Sequence, residues 1–298
     1  LRTTPIAVTM DYKTIVPEVN AILAQYNMRM TLRQIFYRLV AKHLIQNTLS
    51  QYKNLSRILV KARERGDVDW TNIEDRSRTT IGRDGGWEST DDFLEYTAES
   101  FLEGWKTFTM PMWTNQPNFL EVWVEKDALS ALVSDVAQGF RVRTCPARGY
   151  SSFTYVKEGA DRLAEIDGKN IIVLYLGDYD PSGLDITRDL EDRLQAYGIP
   201  DVDVQRIALT LDQIGQYSLP PMMAKSKDPR YAKFVADTGG TDVVELDALE
   251  PPVLQEIIRK AIQSRIDAEK WNKRVKEIDE TKEKLREKFE KAHIEWEA

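Results

Sequence analysis

Val173-Leu174-Tyr175-Leu176-Gly177-Asp178-Tyr179-Asp180-Pro181-Ser182-Gly183 joins an apolar run to a polar turn. From Ile171 to Leu176 the residues are apolar and rich in branched side chains, as in a strand buried on both faces of a parallel sheet. Two aspartates one residue apart follow it, and side chains two apart on a strand project to the same face. Pro181 suits the first turn of a helix, with Asp180 before it as an N-cap. Two carboxylates thus emerge where a strand hands over to a helix, the edge at which open α/β sheets bind ligands. The segment alone leaves two readings open: a metal-ion site, or a helix cap (Asp180) and a turn residue (Asp178).

The flanking sequence alternates strand and helix patterns. Leu120–Val124 reads as a strand ending at Glu125, followed by a helix from Asp127 to about Gln138. Phe140–Thr144 reads as a second strand, leading through Arg148-Gly149-Tyr150-Ser151-Ser152 into another helix. After Ile171–Leu176 come a helix from Pro181 to about Tyr197 and a strand over Val202–Ala208. The pattern predicts an α/β domain with a mainly parallel sheet. Consistent strand direction brings Glu125, Asp178 and Asp180 to one edge, which favours the metal reading. One cysteine and two histidines exclude a disulfide framework and argue against structural zinc. Carboxylate ligands point to Mg²⁺.

The N-terminal part reads differently. A helix is expected over residues 15–27, and Thr31 with Gln34 three residues on forms a capping-box pattern opening a second helix to about Leu44. A third is expected from Gln51 to Arg65, closed by Gly66, with Lys53, Arg57, Lys61 and Arg65 on its polar face. Val68-Asp69-Trp70 suits a short wing strand, so the segment reads either as a winged helix-turn-helix or as a helical bundle with a solvated charged face. The net charge is −7, yet residues 28–83 hold twelve Lys/Arg against five Asp/Glu, so this segment is +7 and the remainder −14. Such polarity suits a localised phosphate-contacting surface. The segment 75–86 reads as a polar, glycine-rich loop, 91–108 as an amphipathic helix and 110–117 as an interdomain linker. Residues 270–298 read as a long amphipathic helix, packed on the body or used for self-association. No run approaches the roughly 18 apolar residues of a membrane span, so no membrane partner is expected, and the lone cysteine suggests a reducing, cytoplasmic setting.

Tyr37 lies about 130° from the centre of the apolar stripe Leu32, Ile35, Phe36, Leu39 and Val40, counting ~100° per residue. With Arg33 one turn before it, it is expected outside the core, half-exposed at an interface or free to act.

Val124-Glu125-Lys126 at one strand end and Asp178-x-Asp180-Pro181-x-Gly183 at another resemble the Toprim domain of topoisomerases, primases and certain nucleases. Thr31-Leu32-Arg33-Gln34-Ile35-Phe36-Tyr37 resembles the active-site tyrosine motif of the topoisomerase VI A subunit and its meiotic break-forming relatives. The resemblance spans roughly residues 30–250. It implies a mainly α winged-helix domain over 1–115, a Toprim domain over 116–250 and a C-terminal helical extension over 251–298. It further implies Tyr37 as the nucleophile toward double-stranded DNA, assisted by Arg33, and Mg²⁺ on Glu125, Asp178 and Asp180. Lys53, Arg57, Lys61, Arg65 and Arg148 are the expected DNA contacts. A homodimer with composite sites and a separate ATPase (B-type) subunit are the implied partners. One departure is Ala147-Arg148-Gly149-Tyr150-Ser151-Ser152, where the family carries Gly-Lys-Gly-aromatic-Pro-Asp. Two other functions fit the same residues: a Toprim nuclease using water, and a DNA-binding protein without chemistry.

Overall fold

Strands β1 (Asn118–Val124), β2 (Arg143–Pro146), β3 (Asn170–Leu176) and β4 (Asp203–Ala208) form one sheet in the order β2-β1-β3-β4. Every pairing is parallel. The computed structural model describes residues 10–74, 85–147, 149–223 and 228–297. The crossovers run through helices α5 (Ser130–Gly139), α6 (Phe153–Ala164) and α7 (Pro181–Ala196). They cover both faces, which is why β3 is an unbroken apolar run. Leu120, Val122, Val124, Ile172, Leu174 and Leu176 pack in one cluster with Leu132, Val133 and Val136 of α5. Trp123, Val173 and Tyr175 pack on the other side with Val156, Ala160 and Leu163 of α6 and Ile186, Leu190 and Leu194 of α7. The chain leaves β1 toward β2 on one side and returns to β3 on the other. The C-terminal ends of β1 and β3 therefore flank the switch point, where open sheets form a binding crevice.

Helices α1 (Tyr12–Leu23), α2 (Leu32–Ala41) and α3 (Leu49–Glu64) pack on one another before the sheet begins. Thr31 caps α2 reciprocally with Gln34, as its sequence pattern predicts. Thr31→Ala is expected to lose about 1 kcal/mol in urea unfolding. The wing strand expected at Val68-Asp69-Trp70 is not a strand. Trp70–Asn72 is a 3₁₀ turn, and Ile73 makes an isolated parallel bridge to Met30. Asp69 causes this by accepting from the Thr71 N–H and hydroxyl, which curls the chain. The loop arginines Arg76, Arg78 and Arg83 lie outside the described residues.

The expected amphipathic helix over 91–108 is α4 (Thr90–Leu102) followed by a 3₁₀ turn at Gly104–Thr107. The segment read as a linker packs against the fold. Met112, Trp113 and Gln116 are buried, and Gln116 exchanges side-chain hydrogen bonds with the Asp267 backbone. Two short helices, α8 (Leu211–Gln216) and α9 (Tyr231–Thr238), and a two-stranded ribbon of β5 (Met222–Met223) and β6 (Asp242–Val243) follow the sheet. Next, α10 (Pro251–Gln263) packs on α5 and β4 through Leu254, Ile258 and Ile262, adding to the sheet's cover. The final helix α11 (Ala268–Glu297) lies against α4 and the body. Phe289 meets Phe101 and Trp271 meets Trp113, with ring centroids 5.0 and 5.7 Å apart. Among the described residues no helix is long and apolar enough to cross a membrane.

Candidate metal centre and nucleophile

The β1–β3 register pairs Val124 with Leu176, so the residues just past both strands meet at one edge. Glu125 N–H donates to the Leu176 carbonyl (2.8 Å), extending the ladder by one step. Its Oε2 then accepts from the Asp178 N–H (2.9 Å). Gly177 permits this approach: a Cβ there would stand 2.6 Å from Glu125 Oε2 and 2.7 Å from Tyr175 Cε1. Asp180 caps α7, its Oδ1 accepting from the Gly183 N–H (2.6 Å) and the Ser182 hydroxyl (2.9 Å). Asp178 Oδ1 accepts from the Leu246 N–H (2.8 Å) and lies 3.0 Å from Lys126 Nζ. Each aspartate thus performs its ordinary structural role with one oxygen. The opposite oxygens, with Glu125 Oε1, accept no hydrogen bond among the described residues.

The electrostatics suit a cation. Burial pushes the Glu125 carboxyl up to about 7, and the charges of Asp178 and Asp180 add to the shift. Burial also raises Asp178, against the pull of Lys126. Crowded carboxylates without a Cβ at Gly177 and presenting only oxygen donors fit a hard divalent ion such as Mg²⁺. As placed, however, no three Asp, Glu, His or Cys side chains among the described residues form a ready ligand set.

Sequence reasoning missed four residues that build this edge. Lys126 Nζ sits among Asp178, Glu245 (3.1 Å) and Asp247 (2.6 Å). Burial works against its charge, but the three carboxylates hold it protonated. Burial likewise pushes Glu245 up, yet Lys126 and Arg33 outweigh it and keep that carboxyl below its ordinary value. A signal existed: Glu245-x-Asp247 repeats the two-apart spacing of Asp178-x-Asp180. The fourth, Arg206, reaches from β4 under the turn and donates to the carbonyls of Gly177 and Asp178, Gly183 (2.9 Å) and Leu209 (2.9 Å). Nothing in its sequence surroundings marks it, because its partners are 3 to 29 residues away.

Helix α2 reaches the same edge. Arg33 forms an ion pair with Glu245 and stacks over the Tyr52 ring at 5.2 Å. Tyr37, expected outside the core, is only 2% exposed and packs edge-on against Phe36 at 5.4 Å. The single-stripe reading failed because α2 is covered from two directions, by α1 and α3 and by the turn at Leu246–Ala248. All residues from Gln34 to Val40 are consequently buried. Burial raises the Tyr37 hydroxyl pKa, and Glu245 adds to the rise, while Lys126 and Arg33 oppose it. Tyr37 thus stands within electrostatic reach of the acidic edge of its own chain. Between α2, α3 and that edge lies a cleft of about 710 Å³, lined by Thr31, Arg33, Tyr52, Arg63, Lys126 and Asp247 among others.

Lys53, Arg57, Lys61 and Arg65 are all exposed on one face of α3 and its C-cap, and none forms a salt bridge among the described residues. Arg148 lies outside the described residues. No protein-family model matches the chain, and no curated protein matches it.

Proposed function

We propose that the chain cleaves double-stranded DNA by Mg²⁺-dependent transesterification, in the manner of a topoisomerase VI A subunit, with Tyr37 as nucleophile. One observation carries the reading: Tyr37 and Arg33 lie on a helix whose contacts run through Glu245 and Lys126 to Asp178, beside Glu125 at the switch point. In this reading the N-terminal helices α1–α3 act as the DNA-binding part and the parallel sheet as a Toprim domain.

Glu125, Asp178 and Asp180 would hold Mg²⁺, which when bound withdraws charge from the scissile phosphate. Arg33 supplies a guanidinium to a non-bridging phosphate oxygen. Tyr37 Oη loses its proton as it bonds to phosphorus, and the displaced DNA oxygen leaves as a hydroxyl. The phosphotyrosyl ester keeps the bond energy, so resealing reverses the same step. The exposed face of α3 tracks the backbone by salt-sensitive phosphate contacts. A homodimer and a separate ATPase subunit, within the cytoplasm, complete the proposal.

The burial of Tyr37 favours a second reading, in which water attacks and the tyrosine only packs. Incubation with supercoiled DNA and Mg²⁺, stopped by detergent, separates the two. Transesterification leaves DNA ends that enter the gel only after protease treatment, and Tyr37→Phe abolishes cutting. Protein-free ends with Tyr37→Phe fully active would establish water as the nucleophile.

A further inference from the structure

Three carboxylates converge on Lys126, and they carry more negative charge than the chain neutralises. Asp178, Glu245 and Asp247 place oxygens 3.0, 3.1 and 2.6 Å from its Nζ. Arg33 adds one further cation, at Glu245. An ammonium has three donors, so these contacts commit all of them. Asp247 is 2% exposed, and its Oδ1 is buried without a hydrogen-bond partner among the described residues, although Asp247 borders the cleft. A buried acceptor left this way has room for a further cation or donor. All-oxygen carboxylate donors select a hard divalent cation over a soft one. As placed, with the ammonium among them, the three acids form no ready ligand set among the described residues.

We propose that Asp178, Glu245 and Asp247 form a latent divalent-cation site, held closed by the Lys126 ammonium, which swings out before the ion binds. The lysine is the movable part: its stem is four flexible carbons, and it borders the cleft, from which an anion held by Arg33 and Arg63 would draw the ammonium away. A DNA phosphate is such an anion, so substrate and ion would load together. The proposal shares Asp178 with the reading above and otherwise does not depend on Tyr37 or on cleavage.

The test measures Mn²⁺ binding to the full chain by calorimetry, without DNA. Lys126→Met is expected to bind about tenfold or more tightly than wild type, because the competing charge is gone. Lys126→Arg keeps the charge and should bind like wild type. Adding Asp247→Asn to Lys126→Met should return the affinity to the wild-type level. If Lys126→Met needs Mg²⁺ to fold and melts on chelation, the site is equally demonstrated. Unchanged affinity, or failure to fold with and without Mg²⁺, overturns the proposal. DNA cleavage by the wild type would survive that result, and loss of the Tyr37 assignment would leave the Mn²⁺ result standing.

Discussion

Glu125→Gln is expected to abolish Mg²⁺-dependent DNA cleavage, by at least ~10²-fold, while making the protein more stable at pH 8 by about 3 kcal/mol. The two effects share one cause. The carboxyl is pushed up to about 7, first by burial and then by Asp178 and Asp180, whereas an unfolded glutamate titrates near 4.5. Below pH 4.5 both states are protonated and no cost arises. As pH rises from 4.5 to about 7, the unfolded chain releases a proton that the fold still holds, so folding stability falls across that window. Above about 7 the folded carboxylate is ionised among like charges and the full cost remains. Glutamine retains an oxygen to accept the Asp178 N–H and carries no charge, so it removes the cost without losing the hydrogen bond. Mg²⁺ should stabilise the wild type at pH 8 and leave the glutamine variant nearly unaffected; chelation should reverse the first effect. Paired urea titrations at pH 5 and pH 8 read the sign. A variant less stable than wild type at pH 8 would show that Glu125 is a structural residue and would remove the metal assignment.

The parts of this site that were legible in the sequence are those fixed by local pattern. Ile171–Leu176 has no polar residue because helices cover both sides of β3, so its burial is written in consecutive letters. Asp180-Pro181 announces a helix start for equally local reasons, and Asp180 does cap α7. The second strand was displaced, starting at Arg143 rather than Phe140, because Phe140 and Arg141 close the preceding helix, Arg141 with a positive φ of 56°. Tyr37 was misjudged because periodicity assumes one buried face, and α2 has two. That second cover comes from Leu246–Ala248, more than 200 residues downstream, and Arg33 and Arg38 reach it through Glu245 and the Ala248 carbonyl. The same separation hid Lys126, Glu245 and Asp247. A lysine beside a glutamate usually signals exposure, and only the folded chain shows that its partners are 119 and 121 residues away. Contacts of this kind set the electrostatics of the edge, and no window of sequence contains them.

Gly183→Ala is expected to destabilise the protein by roughly 3 kcal/mol, lowering the melting temperature by about 5 °C. The backbone conformation is not the reason, since Gly183 is an ordinary helical position in the first turn of α7. The cause is contact: a Cβ there would lie 2.2 Å from the Asp178 carbonyl oxygen, 3.1 Å from its carbon and 3.3 Å from Asp180 Oδ1. A flexible side chain at that distance would move aside, but this neighbour is main chain. It is also pinned, because Arg206 draws the carbonyls of Gly177, Asp178 and Gly183 toward one guanidinium. Relief therefore requires the turn to leave Arg206 or α7 to lose the Asp180 cap, and either displaces Asp178 from Lys126 and Leu246. Gly215→Ala provides the contrast within the same molecule. Its Cβ meets nothing within 4 Å and it lies inside α8, so alanine should raise stability by about 0.5–1 kcal/mol through helix propensity and reduced freedom of the unfolded chain. Thermal melts of the two variants should thus move in opposite directions from wild type. A Gly183→Ala protein that melts with the wild type would mean that the turn has room to relax, and the close approach of α7 to Asp178 could no longer be what positions the acidic edge.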